Sequence, residues 1–223
     1  EKYYCTAFPI GTLLASTWNK ELVNEVGRAM GSEALEYGVD LILGPGVNIH
    51  RHPLCGRNFE YYSEDPLLTG EMGAAMVNGI ESNGVGATPK HFVANNQETS
   101  RNINNSIVSN RAMREIYLKG FEIIVKKSQP WAIMSSYNKV NGVYTSESKQ
   151  LLTDILRNEW GYEGIVMTDW FGGNNVSEQI KAGNDLLEPG TKNIWDNLIK
   201  AHEDGDLSLK EIDLSVSRIL ALI

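Results

Sequence analysis

A chain of 223 residues with 42% hydrophobic and 22% charged residues has an ordinary globular composition and is long enough for one sizeable core. Its net charge of −8 argues against nucleic acid or an acidic membrane surface as a partner, because both recruit basic patches. No apolar run approaches the roughly 18 residues of a membrane span, so we expect a soluble protein, either cytoplasmic or secreted or periplasmic. Two cysteines, Cys5 and Cys55, could pair or both be free, which leaves the compartment open.

Strand-like and helix-like segments alternate from the start of the chain. The apolar residues of 6–14 predict a strand, and a helix follows from Asn19, a residue type that caps helices. A second strand at 41–43 ends in Gly-Pro-Gly and leads into a long polar loop, 47–64. Asp65-Pro66 then begins a helix, since Asp caps a helix and Pro fits its first turn.

The same unit repeats through the second half of the chain. Further strands are predicted at 85–88, 132–134, 165–167 and 186–187, with helices between them. This alternation predicts right-handed βαβ units and a parallel sheet of about six strands. Long polar loops follow the strands, whereas shorter connections follow the helices, and the dinucleotide-binding Gly-x-Gly-x-x-Gly pattern is absent. We therefore predict the α/β class and an incomplete TIM-barrel-like (β/α) barrel, with residues 1–223 as a single domain.

One carboxylate stands at the end of the most strand-like segment. The apolar run 165–167 stops at Thr168-Asp169 and is followed by Trp170 and Phe171. Catalytic side chains in α/β proteins project from the carboxyl ends of such strands, which makes Asp169 a candidate nucleophile or base. Alternatively, Asp169 caps the helix that begins near Val176. The segment by itself does not decide between these roles.

Other predicted strand ends also carry groups that chemistry could use. They are Arg57 and Glu60, Lys90 and His91, and Met134 and Tyr137. Singly, each has a structural explanation: His91 could be a satisfied buried histidine, and Arg57 could brace its loop through Glu60. Gathered at one end of a sheet, cations and hydrogen-bond donors around one carboxylate, with aromatic walls, favour a pocket for a sugar.

His50 and His52 raise the alternative of a metal-dependent barrel hydrolase, because alternate histidines leaving a strand can share a metal. Few further ligands follow at later strand ends, so we favour a loop-bracing role for the pair and predict neither a metal nor another cofactor. Ser135 and Ser136 lack the Gly-x-Ser-x-Gly elbow of a serine hydrolase.

Several runs carry a resemblance to a known family. They are Gly56-Arg57-Asn58-Phe59-Glu60, Ser63-Glu64-Asp65-Pro66, Lys90-His91-Phe92, Glu98 to Arg101, Met134 to Tyr137 with Asn141-Gly142, and Val166-Met167-Thr168-Asp169-Trp170. In their order and spacing, over nearly the whole chain, the sequence resembles glycoside hydrolase family 3, the β-glucosidase family.

The resemblance implies roles residue by residue. Asp169 matches the catalytic nucleophile that forms the covalent glycosyl-enzyme intermediate. The matching substrate-binding positions are Arg57, Lys90 and His91 on the sugar hydroxyls, Arg101 and Tyr137 near the reacting ring, Met134 lining the pocket, and Trp170 beside the nucleophile. Glu60 is interpreted as orienting Lys90 or Arg57. We also expect nearby cations such as Lys90 and Arg101 to hold the pKa of Asp169 down.

Two departures from the family pattern shape the functional prediction. The Asp-Gly-Pro-x-Gly segment that binds sugar hydroxyls is missing, and the usual acid/base, a Glu in a second domain, lies outside this chain. The single-domain β-N-acetylglucosaminidase branch carries a His after Lys-His-Phe, where this chain has Val93-Ala94-Asn95-Asn96.

The resemblance therefore implies the barrel of a larger multidomain enzyme, an exo-acting retaining β-glycosidase that removes terminal β-D-glucosyl residues from a β-glucoside or β-linked oligosaccharide. We expect the chain alone to be poorly active. A β-xylosidase or related exo-glycosidase, and a non-catalytic sugar-binding barrel, are the alternatives.

Overall fold

Short parallel strands and longer helices alternate in the computed structural model, which describes residues 4–223. The helices are α1 Gly11–Ser16, α2 Lys20–Glu36, α3 Pro66–Glu81, α4 Asn110–Ala112, α5 Lys119–Ser128, α6 Val176–Ala182, α7 Lys192–Glu203 and α8 Leu209–Leu222, with π-helical segments at Met113–Tyr117 and Gln150–Glu159 and a 3₁₀ turn at Thr145–Glu147. The strands are β1 Leu41–Ile42, β2 Gly86–Ala87, β3 Asn105–Ser106, β4 Ala132–Ser135, β5 Lys139–Val140, β6 Val143–Tyr144 and β7 Ile165–Thr168.

Five parallel strand positions form the wall of the barrel. β1 pairs with β2 and β4 pairs with β7, all in parallel. The segment after β2 bonds to β4 through Met134 N–H to the Pro89 carbonyl, and a bridge at Leu186 adds a fifth position beside β7. The wall confirms a TIM-barrel-like fold that is incomplete, with the predicted strand at 186–187 reduced to a single bridge.

The predicted first strand is wrong. Residues 11–16 form helix α1, and the hydroxyl of Thr12 in its first turn donates to the carbonyls of Asn58 and Tyr61. An apolar run this short is compatible with strand or helix, and docking on the loop after β1 decides for the helix.

A small sheet was also missed. β3, β5 and β6 pair within polar segments that the sequence indicates as loops. β3 lies in the loop after β2, and β5 and β6 lie in the loop after β4.

Alternate residues of β4 and β7 face opposite sides of the wall, as the two-residue repeat of a strand requires. Ile133 and Val166 join the large core that the strands share with the surrounding helices. The opposite faces form an apolar interior cluster of Ala132, Met134, Ile165 and Met167, against which Leu41, Leu186, Ile219 and Leu222 pack. Because Leu41 and Leu186 belong to the two outermost strand positions, the end of α8 fills the side on which the wall is open.

A buried ion network fixes α8 to the barrel. The Asp185 carboxylate, whose side chain is fully buried, accepts from Arg157 Nη2 at 2.6 Å and from Arg218 Nη1 at 3.0 Å. It also accepts from the Val166 backbone N–H at 2.8 Å, at the start of β7. These contacts join the helix before β7, the strand itself and the last helix.

Three further findings concern the cysteines, the helices and the candidate metal ligands. Cys5 is exposed and Cys55 is buried, and both are free thiols. No helix in residues 4–223 combines the length and apolar character needed to cross a lipid bilayer. Nor does this part of the chain contain a group of three or more His, Cys, Asp or Glu side chains placed to hold a metal ion.

Candidate active site

Polar side chains from the carboxyl ends of four strand positions meet at one end of the barrel. Arg57 and Glu60 come from the loop after β1, and Lys90 and His91 follow β2. Tyr137 follows β4, and Asp169 follows β7. The carboxyl ends of parallel strands lie at the same edge of a sheet, so residues up to 112 positions apart in sequence become neighbours.

Asp169 is the acceptor at the centre of this group. Its Oδ1 accepts from the Trp170 backbone N–H at 2.8 Å, and its Oδ2 lies 3.6 Å from His91 Nε2. The Tyr137 hydroxyl also donates to the carboxylate. Helix α6 is capped instead by Asn175, whose side chain accepts from Ser177 and Glu178 N–H. Asp169 therefore does not cap the following helix.

The pKa of Asp169 differs from the expectation. Burial raises the pKa of this carboxyl, which is only 8% exposed. The Trp170 N–H, the Tyr137 hydroxyl and the positive charges of Arg57 and Arg101 lower the pKa but only partly offset burial. Arg101 lowers the pKa of Asp169 as expected, but the net shift is upward, because the expectation did not include the cost of desolvating the carboxylate.

Glu60 lies between two of the cations. One of its oxygens accepts from Arg57 Nε, and the other is 3.6 Å from Lys90 Nζ. Burial lowers the pKa of Lys90, and the Glu60 carboxylate opposes that shift. Glu60, interpreted from the sequence as orienting Lys90 or Arg57, contacts both side chains.

His91 is almost completely buried. It is 1% exposed, and its backbone is clamped by Asn48, which accepts from His91 N–H at 2.9 Å and donates to its carbonyl at 2.9 Å. Burial lowers the pKa of His91 well below its usual value, and the charges of Arg57, Lys90 and Arg101 act in the same direction. The lowered pKa favours a neutral ring at physiological pH, so His91 faces Asp169 without a positive charge.

Arg101 contacts the aromatic ring of Tyr137. Its guanidinium carbon is 4.5 Å from the centre of the Tyr137 ring, and Nη1 donates to Glu98 Oε2 at 2.8 Å. Glu98 also accepts from Asn95 Nδ2 at 3.1 Å. Sequence reasoning gave no role to Glu98, although its i, i+3 spacing to Arg101 is a readable signal for an ion pair.

The two remaining candidates differ in their surroundings. Trp170 is 37% exposed beside Asp169 and offers an open indole surface. Met134 is 2% exposed and belongs to the apolar interior cluster, with Met167 as its register partner on β7. Met134 thus packs with the apolar side chains of the barrel interior.

His50 and His52 are engaged by their own loop. His50 Nε2 is 2.9 Å from the Asn58 carbonyl, and His52 Nδ1 accepts from Leu54 N–H at 3.1 Å. These contacts are those of loop bracing.

Three residues that the sequence analysis did not select lie behind His91. Tyr61, Asn95 and Asn48 are each buried, and all three contact His91 or one another. Buried aromatic and amide residues read as ordinary core and loop in a sequence, so no local signal marks them.

Comparison with known proteins identifies the family of this chain. The model for the glycosyl hydrolase family 3 N terminal domain matches residues 2–222. Beta-glucosidase A of Butyrivibrio fibrisolvens is 58% identical over 181 residues, which are 81% of this chain and 22% of the relative. An exo-alpha-(1->6)-L-arabinopyranosidase of Bifidobacterium breve is 47% identical over 218 residues, 98% of this chain and 29% of the relative.

A solved structure is similar over the full chain. Beta-glucosidase 3B from Thermotoga neapolitana, in complex with glucose, superposes with a TM-score of 0.97 at 56% identity, covering 100% of this chain and 32% of that one. The chain thus spans less than a third of the length of each of these proteins.

Proposed function

Because this chain belongs to glycosyl hydrolase family 3, we propose that the whole protein is an exo-acting retaining β-glycosidase that releases terminal non-reducing β-D-glucosyl residues. The observation that carries the proposal is Asp169, a largely buried carboxylate that accepts from Trp170 and Tyr137 and faces His91. A nucleophile held this firmly, and sparsely hydrated, suits attack on an anomeric carbon.

The proposed reaction has two displacements. An oxygen of Asp169 forms a bond to the anomeric carbon while the glycosidic C–O bond breaks, and that electron pair leaves on the aglycone oxygen, which takes a proton from the general acid. Water then attacks the anomeric carbon of the glycosyl-enzyme, giving its proton to the same group acting as base. Asp169 is released as carboxylate, and the sugar keeps its configuration.

Substrate hydroxyls are proposed to be held by Arg57, Lys90 and His91, which are donors, because a sugar offers acceptor oxygens around its whole ring. Arg101 and Tyr137 are proposed as further contacts near the reacting ring. Trp170 is proposed to contact the apolar face of the ring, with Met134 as part of the floor of the pocket.

The acid/base is proposed to come from outside this chain. Glu60 and Glu98 are the carboxylates beside Asp169's neighbours, and each is engaged by a guanidinium. Such a carboxylate serves as an ion-pair partner, whereas a general acid must carry a proton at working pH. Residues 1–223 are therefore proposed as one barrel domain of a larger enzyme whose second domain supplies the acid.

Labelling tests the proposal. The full-length parent protein is incubated with an activated 2-fluoro β-glucoside, which allows the glycosyl-enzyme to form but slows its hydrolysis, and the labelled peptide is mapped. We expect the adduct on Asp169 and none in Asp169→Asn. A parent that binds glucose but forms no adduct would be a sugar-binding barrel, and activity lost on adding chelator would indicate a metal-dependent hydrolase.

The isolated 223-residue chain provides a second test. We expect it to hydrolyse aryl β-glucosides poorly or not at all, because the acid is missing. Robust turnover by the chain alone would refute an external acid.

Sugar specificity is the second question. One relative is named as an arabinopyranosidase, so a pyranoside other than a glucoside is a second candidate substrate for this protein. A panel of aryl β-glucoside, β-xyloside and α-L-arabinopyranoside substrates, ranked by kcat/KM, distinguishes glucosidase from xylosidase and related exo-activities.

A further inference from the structure

Behind His91, on the side away from Asp169, stands the phenol of Tyr61. Tyr61 is fully buried, and its hydroxyl lies 3.1 Å from His91 Nδ1 and 3.2 Å from Asn95 Nδ2. A buried hydroxyl has one hydrogen to donate, so the contact with the ring can run in only one of two directions.

Asn95 determines the direction of the hydrogen bond between Tyr61 and His91. The Nδ2 that contacts Tyr61 also donates to Glu98 Oε1 at 3.1 Å, and a carboxylate oxygen can only accept. The amide orientation is thereby fixed, and Tyr61 Oη accepts from Asn95. The phenolic hydrogen must then go to His91 Nδ1, the acceptor that remains within reach.

Because Nδ1 accepts this hydrogen bond, it carries no hydrogen, and this determines the tautomer of the imidazole. The neutral ring then carries its hydrogen on Nε2, the nitrogen that lies 3.6 Å from Asp169 Oδ2. The His91 pKa, well below its usual value through burial and through Arg57, Lys90 and Arg101, is consistent with one ring proton and not two.

A competing arrangement exists in the same pocket. Asn48 Oδ1 lies 3.4 Å from His91 Nδ1 and is fixed in place by accepting from the His91 backbone N–H. In the other tautomer Nδ1–H would donate to Asn48, and the bare Nε2 would face the Asp169 carboxylate, lone pair toward lone pair.

We propose that Tyr61, oriented by Asn95, is a positioning residue that holds His91 in the tautomer whose Nε2–H points at Asp169 and the sugar. It would act only through His91 and touch no substrate. The inference rests on the proposed function for its kinetic consequence, but the tautomer itself does not.

A double-mutant cycle in the full-length parent tests the kinetic part. We expect Tyr61→Phe, which keeps the ring, to lower kcat/KM for an aryl β-glucoside about tenfold, the worth of one buried hydrogen bond. Tyr62→Phe is the matched control: Tyr62 is equally buried, and its pKa is raised by burial alone. In a His91→Gln background, where the amide donates without a tautomer choice, Tyr61→Phe is expected to be silent.

Equal losses for Tyr61→Phe in both backgrounds would overturn the proposal, because they would show an effect that does not pass through His91. Unchanged kcat/KM in Tyr61→Phe would overturn it too. Thermal unfolding of each variant separates these outcomes from loss of fold.

Ring ¹⁵N chemical shifts of His91, assigned by their loss in His91→Gln, provide a readout that does not need turnover. We expect protonated Nε2 in the parent and a shift of the proton toward Nδ1 in Tyr61→Phe. Protonated Nε2 in both would refute the positioning role. An inactive, unlabelled parent with the expected shifts would instead refute the proposed function alone.

Discussion

The guanidinium of Arg101 lies 4.5 Å from the centre of the Tyr137 ring, and the hydroxyl of the same ring donates to Asp169. The Tyr137 ring therefore lies between a cation and the Asp169 carboxylate, and it contacts both of them. A second pair in the chain has the same local form: Lys139 Nζ lies 4.7 Å above the ring of Tyr144, whose hydroxyl donates to the Asn102 carbonyl. That pair lies outside the site and offers a control.

Tyr137→Phe is expected to raise the pKa of Asp169 further, because the hydroxyl is one of the groups that oppose the effect of burial. The acid limb of the kcat/KM profile of the full-length protein should move to higher pH by about half to one unit. Burial and the Asp169 charge raise the pKa of Tyr137 itself to about 12, so the wild-type hydroxyl stays a donor across the profile. Tyr144→Phe should leave the limb in place, and coincident profiles for both variants would contradict the prediction.

Glu60→Gln is expected to lower the pKa of Lys90 further, since burial already lowers it and the Glu60 carboxylate opposes the shift. Lys90 would then lose its proton at lower pH, and the alkaline limb of the profile should move down, with KM rising about tenfold. Glu64→Gln is the control, because Glu64 is exposed and its carboxylate accepts from the hydroxyl of Ser63. An alkaline limb that does not move in Glu60→Gln would rule out this role.

Glu81 predicts a pH dependence of stability far from the site. Its Oε1 accepts from the N–H of Ala87, in β2, and of Trp131, next to β4, and burial raises its pKa to about 7 despite these two bonds. A carboxyl whose pKa is higher in the folded than in the unfolded state favours folding below pH 4.5, and that contribution is lost as pH rises through 7. The wild type should therefore gain stability between pH 8 and pH 5.

Glu81→Gln should remove most of this gain and be the more stable form at pH 8, by on the order of 1–2 kcal/mol after allowing for partial exposure. Thermal unfolding at the two pH values measures the difference. Glu122→Gln, on the surface pair with Lys119, controls for the loss of a charge. Parallel pH curves for wild type and Glu81→Gln would be the contrary outcome.

Asp185→Asn is expected to destabilise the protein by about 3–5 kcal/mol, because it leaves two guanidinium groups at a buried site without their counter-charge. Asp196→Asn, which breaks an exposed pair with Lys192, should cost under about 1 kcal/mol. Denaturant unfolding monitored on the barrel compares the two. Similar losses would show that the Asp185 network contributes no more than a surface ion pair.

The sequence by itself determined the strand ends that carry the site. The runs 132–134 and 165–167, which lie in β4 and β7, are apolar at every position, and this local pattern is sufficient to predict a strand buried on both faces. The same reasoning placed Lys90, His91, Tyr137 and Asp169 at one end of the barrel, since parallel strands align their carboxyl ends.

Only the tertiary structure decided the rest. Residues 11–16 became a helix because Thr12 finds acceptors in a loop some 46 residues away, which a nine-residue window does not contain. The Tyr61–His91–Asn95 contacts and the direction of the Asp169 pKa shift depend on burial. The local sequence indicates which residues are buried and in which direction each strand runs. The cost of desolvating a charge and the choice of a proton's position depend on neighbours that are brought together only when the chain folds.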